Sequence, residues 1–218
     1  MAMSQLIDKD EGAWLELQEW LSAANKPVDV LAVDAHQGEA VLTRLNVTTK
    51  SYLGMIAYRT GGILIDQGWL RILGGGHERL PRDLATWNRL DGEDIKQHRL
   101  PGAILIADDV LGGFFALNGG GLGEQPGMVF YLAPDTLEWE SLELSYGSFV
   151  YWAMTGDLET FYRGFRWPGW QDEMATISGQ QALSIYPFLC TDGPDISQRS
   201  RQPVDINEIW TLSAEQKT

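Results

Sequence analysis

Apolar residues in the first part of the chain recur at helical spacing. Trp14, Leu17, Leu21 and Ala24 fall on one stripe between residues 10 and 24, with Glu16 and Glu19 pointing away from it. The pattern predicts an amphipathic helix over 10–24, capped by Asp10 and ended by Asn25-Lys26-Pro27. Residues 28–33 are rich in β-branched side chains and predict a short strand, and Glu39 to Leu45 predicts a second helix. From Ser51 the character changes. Gly61 to Leu73 reads as two apolar strands joined by a tight turn at Gln67-Gly68 and closed by Gly74-Gly75-Gly76. Helical spacing returns at Leu80, Leu84, Trp87 and Leu90, stopped by Asp91-Gly92.

Three runs of strand character follow, at 103–107, 113–117 and 128–133. Asp108-Asp109 separates the first two, and Asn118-Gly119-Gly120-Gly121 follows the second. Such spacing predicts an antiparallel meander, with Trp139 opening a further strand after the Pro134-Asp135-Thr136 turn. Ser145 and Asp157 are N-cap residue types for two consecutive helices, and Trp167-Pro168-Gly169-Trp170 makes an aromatic turn. Residues 191–202 read as a polar loop, and the pattern leaves the type of the element at 208–212 open. The expected architecture is one α+β domain over 1–218. Residues 1–50 are mostly helical, 51–144 are sheet-rich, and 145–218 hold helices and a tail. The central sheet is antiparallel or mixed with about five or six strands, and helices pack on one face after residue 145.

Composition narrows the function classes. Hydrophobic residues at 44% supply a packed core, and 24 Gly point to many tight turns. The net charge of −14, from 16 basic against 30 acidic residues, argues against nucleic acid and against anionic membranes. Residues 1–10 lack the apolar stretch of a signal peptide, and the uncharged run 110–123 is too short and too Gly-rich to span a bilayer. A cytoplasmic protein is expected. Cys190 is the one cysteine, so no intrachain disulfide forms; its apolar setting, Pro187 to Leu189, predicts a buried structural thiol.

No motif for chemistry is complete, which points away from an enzyme and predicts no cofactor. Neither Gly cluster, 74–76 nor 119–123, is followed by the lysine of a phosphate loop. His36, His77 and His98 have no zinc spacing, and no metal is expected. Pro134-Asp135 with Glu138-Trp139-Glu140 echoes a metal-dependent nuclease motif, but Glu140 stands where the lysine is needed. The alternative to a binding protein is a small-molecule or metal-dependent enzyme whose carboxylates, Asp108, Asp109 and Asp135, converge only in three dimensions.

One feature is specific. Gly102 to Tyr162 holds no Lys, Arg or His but nine acids, whereas residues 59–101 carry seven Lys or Arg against six acids. That polarity predicts a negative face built from Asp108, Asp109, Asp135, Glu138, Glu140 and Glu143, and a basic protein as the partner that meets it. If 138–140 is extended, Glu138 and Glu140 share a side and Trp139 points into the core.

Four segments, Gly61 to Gly74, Ala107 to Gly123, Phe130 to Trp139 and Arg166 to Trp170, together resemble an uncharacterised bacterial family of unknown function. More distantly, the order of elements resembles the SUKH superfamily. The likeness lies in the strand Gly113-Phe114-Phe115-Ala116-Leu117, the strand at 128–133, and the helix of form Ser145-x-x-Ser148-Phe149-x-x-Trp152. This second resemblance implies a non-enzymatic intracellular protein-binding domain, such as an immunity protein that neutralises a basic toxin. The long 62–73 hairpin and the 167–170 turn depart from it.

Overall fold

Seven strands follow one another in space in the order in which they occur in the chain. The computed structural model describes residues 3–90 and 97–215. Strands β1 (Val28–Leu31), β2 (Gly62–Ile65), β3 (Leu70–Leu73), β4 (Ala103–Asp109), β5 (Phe114–Asn118), β6 (Met128–Leu132) and β7 (Trp139–Ser145) form one sheet, each antiparallel to the next. The meander expected for 103–133 is thus the centre of a wider sheet, with seven strands among the described residues instead of five or six. Strands β8 (Gln181–Tyr186) and β9 (Ser200–Asp205) form a separate antiparallel pair.

Helices α1 (Met3–Leu6), α2 (Gly12–Ala23), α3 (Ala35–Leu45) and α4 (Tyr52–Arg59) make the N-terminal part, and α5 (Leu84–Trp87) follows β3. After the sheet come α6 (Tyr146–Thr155), α7 (Leu158–Phe161), α8 (Trp170–Met174) and α9 (Ile206–Glu215). Successive strand residues face opposite sides, and the aromatic contacts identify what covers each side. Phe115 stacks on Tyr131 at 4.5 Å and lies beneath Phe149 of α6 and Phe161 of α7. Its neighbour Phe114 meets Trp210 of α9 edge-on at 5.0 Å. Helices α6 and α7 therefore cover one face. The other is covered by α9, beside which the β8–β9 pair is tied to the sheet by Leu183 N–H donating to the Val110 carbonyl.

Local signals explain most boundaries. Ser145 caps α6 by accepting from Ser148 N–H, and Asp157 caps α7 by accepting from Thr160 N–H. Helix α2 does not use Asp10; its N-cap is Glu11, in the left-handed region and without a side-chain cap bond. Helix α3 starts earlier than its periodicity implies, because Asp34 accepts from His36 and Gln37 N–H. Helical spacing at 80–90 yields only the single turn of α5, and the stop expected at Asp91-Gly92 lies outside the described residues. Helix α4 leaves no amphipathic trace because Leu53 to Ala57 are all buried. The polar segment 191–202 includes the start of β9, and 208–212 lies within α9.

The aromatic turn locks the C-terminal part to the β2–β3 hairpin. Trp69 packs against Tyr162, Trp167 and Trp170 at 5.0–5.7 Å between ring centres. Arg166 lies over Trp69 and Trp170 and pairs with Asp66 at 2.5 Å and Glu159 at 2.6 Å.

Candidate functional site

The two aspartates that end β4 are wholly buried, and they point to opposite faces of the sheet. Asp108 lies in register with Arg71 of β3 and pairs with it at 2.5 Å; its other oxygen accepts from Arg82 Nη1 at 2.5 Å. Arg82 is fixed in turn by donating to the Gly179 carbonyl at 2.8 Å, and Arg71 donates to the carbonyls of Gln181 and Asp109. Burial lowers the pKa of Arg71, opposed chiefly by Asp108. Two guanidinium groups thus share one carboxylate.

Asp109 faces the α6–α7 side. One of its oxygens accepts from Leu111 and Gly113 N–H, both at 2.9 Å, which fixes the β4–β5 turn. The other accepts from the hydroxyls of Tyr131 at 2.7 Å and Tyr162 at 3.2 Å. Burial raises the pKa of the Asp109 carboxyl above the ordinary carboxylate value, against the opposing effect of the bonds from Tyr131 and Gly113. Burial likewise raises both tyrosines well above their ordinary value, with Asp109 adding to the effect.

Asp108 and Asp109 therefore do not belong to a surface face, as the charge pattern implied, and they do not converge with each other. Asp135 is half-buried in the turn between β6 and β7. Among the described residues no group of three or more His, Cys, Asp or Glu side chains could hold a metal ion.

The other three predicted acids, Glu138, Glu140 and Glu143, are exposed, the last two on β7, an outer strand of the sheet. Glu138 precedes the strand, so the alternation argument applies to Glu140 alone. Glu140 sits opposite Tyr131, and Trp139 is half-buried against the core, as expected. The register then shifts between Ser141 and Leu144, and Glu143 takes a φ of 57° in this bulge. The three carboxylates line an outer edge that has a strand neighbour on one side only.

The Gly-rich loop after β5 is organised from within. Asn118, buried, accepts from Gly120 and Leu122 N–H and donates to the carbonyls of Gly123 and Gln125. Gly119 and Gly121 N–H both donate to the Gly102 carbonyl. Four consecutive amides, 119–122, are therefore occupied and do not form a phosphate cradle. Cys190 is exposed, against the expectation of a buried thiol. Its apolar neighbours Phe188 and Leu189 line a surface groove together with Leu111, Ile209 and Leu212.

A second concavity, of about 410 Å³, lies beside the β2–β3 turn, with Arg71 among its lining residues. Sequence reasoning missed Arg71 and Arg82. The available signal was an arginine inside the apolar run Leu70-Arg71-Ile72-Leu73, since a charge on a fully buried strand needs a buried partner.

Comparison with known proteins agrees with the first resemblance. A family model described as "Protein of unknown function DUF2625" matches residues 3–209. The chain is 44% identical over 215 residues to YbfG, an uncharacterised protein of Escherichia coli strain K12, with 99% of this chain and 96% of that protein covered. It is 37% identical over 216 residues to an uncharacterised protein of Haemophilus influenzae, with 99% and 94% covered. No solved structure matches the chain.

Proposed function

We propose that this chain, which belongs to the DUF2625 family, is a non-enzymatic intracellular protein-binding domain whose contact face is the acidic edge of β7. The partner is a basic protein, and the finer reading, drawn from the likeness to SUKH proteins, is an immunity protein that neutralises a basic toxin. One observation carries the proposal: of the carboxylates singled out by the sequence, Glu140 and Glu143 are exposed on an outer strand and Glu138 just before it, while Asp108 and Asp109 are consumed by buried partners. No helix among the described residues is long and apolar enough to cross a membrane, which is compatible with this role.

Charges on an outer strand also discourage edge-to-edge aggregation, whatever else they do. Binding must therefore be tested against that simpler role. A partner captured from native cells and purified would be titrated against the wild type and against Glu138→Lys with Glu140→Lys, at several salt concentrations. Affinity that falls as salt rises and is lost on charge reversal supports the proposal. Binding that ignores salt, or a folded double variant that binds as the wild type does, rejects it.

A further inference from the structure

We propose that the concavity where helices α2, α4 and α6 meet binds a small molecule bearing a trimethylammonium group, held by the rings of Trp20, Tyr52 and Tyr151 beside the Glu16 carboxylate. The inference is independent of the β7 reading, since it rests on rings from three helices and on no carboxylate of that strand. The helices pack on one another, and each brings one ring to the junction. Ser51 caps α4 by accepting from Gly54 N–H, which places Tyr52 in the first turn. Gly147 of α6 leaves room for that ring, since a Cβ there would stand 2.5 Å from Tyr52 Cδ2. Glu16 and Trp20 are four residues apart on α2 and share a face. The Tyr52 hydroxyl donates to the Glu16 carboxylate and ties α4 to that face.

The rings form an open corner. Trp20 and Tyr52 lie 4.8 Å apart between ring centres with their planes tilted by 35°, and Tyr151 stands at 66° to Trp20 at 5.7 Å. All three line a concavity of about 330 Å³, at the small end of the range for ligand pockets. Tyr151 is 46% exposed, and Trp20 and Tyr52 are half-buried, so the walls are reached from solvent. A cation seated in the corner lies within roughly 6 Å of the ring centres, where the negative ring faces attract it. Elsewhere the chain fills such positions itself, as Arg59 does over Trp14 and Arg201 over Trp167. Among the described residues no arginine lies over Trp20, Tyr52 or Tyr151. Glu16 and Glu19 are exposed on α2, with Lys50 exposed two residues before Tyr52, and the net charge of −14 favours a cation.

The polar groups select a methylated ammonium over a primary one. A primary ammonium carries three N–H donors that lose water on entry and need acceptors in its place. Here the hydroxyls of Ser145 and Ser148, both at the concavity, bond each other at 2.9 Å, and Glu16 already accepts from Tyr52. A trimethylammonium group has no donor to satisfy, and its charge is spread over methyl groups that pack on the rings.

The test uses choline as probe and neohexyl alcohol, in which carbon replaces the nitrogen, as its uncharged isostere. Both are titrated at constant ionic strength, with the Trp20 indole N–H resonance as the local reporter. Choline is expected to shift that resonance saturably and to bind at least roughly five-fold more tightly than the alcohol. Tyr151→Leu removes a ring at an exposed position; it should melt as the wild type does and weaken choline by a similar factor. Glu16→Gln, also exposed, should weaken choline and leave the alcohol unchanged. No saturable response to choline, equal affinities for the two probes, or undiminished choline binding in both variants would each overturn the proposal. Binding to phosphatidylcholine vesicles without binding to free choline would also overturn it, by assigning the site to a lipid surface.

Discussion

Asp108 and Asp109 are adjacent in β4, and the alternation of the strand sends one to two arginines and the other to two tyrosines. The two environments solve the same problem differently. Asp108 is paired with two guanidinium groups at 2.5 Å, whereas Asp109 sits among neutral donors that satisfy its oxygens without supplying a counter-charge. Both contribute to how the core is specified, and they respond differently to mutation and to pH.

Removing the charge of Asp108 leaves two buried guanidinium groups without a counter-charge. Asp108→Asn preserves shape, so the loss isolates the electrostatic part. A destabilisation of about 3–5 kcal/mol is expected, read as a shift in the urea midpoint at unchanged m-value. A loss below about 1 kcal/mol would mean that the arginines find other partners.

For Asp109 the informative variable is pH. Burial raises its folded-state pKa above the unfolded value, so between those two values the folded protein binds more protons than the unfolded chain. Stability from this group therefore falls as pH rises through that window. Asp109→Asn removes the effect, and its cost relative to the wild type should shrink from acid to neutral pH. Urea unfolding of both proteins across the acid range checks this as a difference, which cancels the opposite contributions of Asp157, Asp195 and Asp205, whose pKa values are lowered.

The sequence was most legible where local chemistry and burial agree. Ser145 and Asp157 announce α6 and α7, and the runs at β4 to β6 are bounded by Asp and Gly turns that leave little choice of register. Legibility failed where tertiary contacts override the pattern. Leu53 to Ala57 are buried on every side of α4, so no stripe marks that helix. Strands β8 and β9 are polar in part, and they exist through pairing with each other across the intervening segment 187–199. The acidic site divides in the same way. A charge run identifies Glu138, Glu140 and Glu143 as exposed, but it cannot separate them from Asp108, whose fate depends on Arg71 in a strand 37 residues earlier.

The loop at 118–127 allows two perturbations of different kind. Asn118→Ala strands four backbone groups that its amide now serves, and a loss of about 2–3 kcal/mol is expected. Gly120 has a φ of 112° and open space where a side chain would start. Gly120→Val is therefore penalised by backbone conformation alone, by more than about 1 kcal/mol. Thermal melts of the two variants should keep this order, and a Gly120→Val protein with an unchanged melting temperature would contradict the strain argument.

Glu143 sits at a φ of 57° within the β7 bulge, a conformation that costs a non-glycine residue about 1–2 kcal/mol. Its side chain is exposed, and its position opposes tight β pairing along the outer edge. Glycine at this position relieves the strain and returns roughly 0.5–1 kcal/mol as extra disorder of the unfolded chain. Glu143→Gly is therefore expected to stabilise the fold by about 0.5–1 kcal/mol, measured by urea unfolding. A residue held against its backbone preference is a pointer to use of its side chain. If the acidic edge is the contact face, the same variant binds the basic partner more weakly even though it is more stable, because one of three exposed carboxylates is gone. Greater stability with undiminished binding would leave the bulge as an edge-protecting device only, and would take Glu143 out of the contact face.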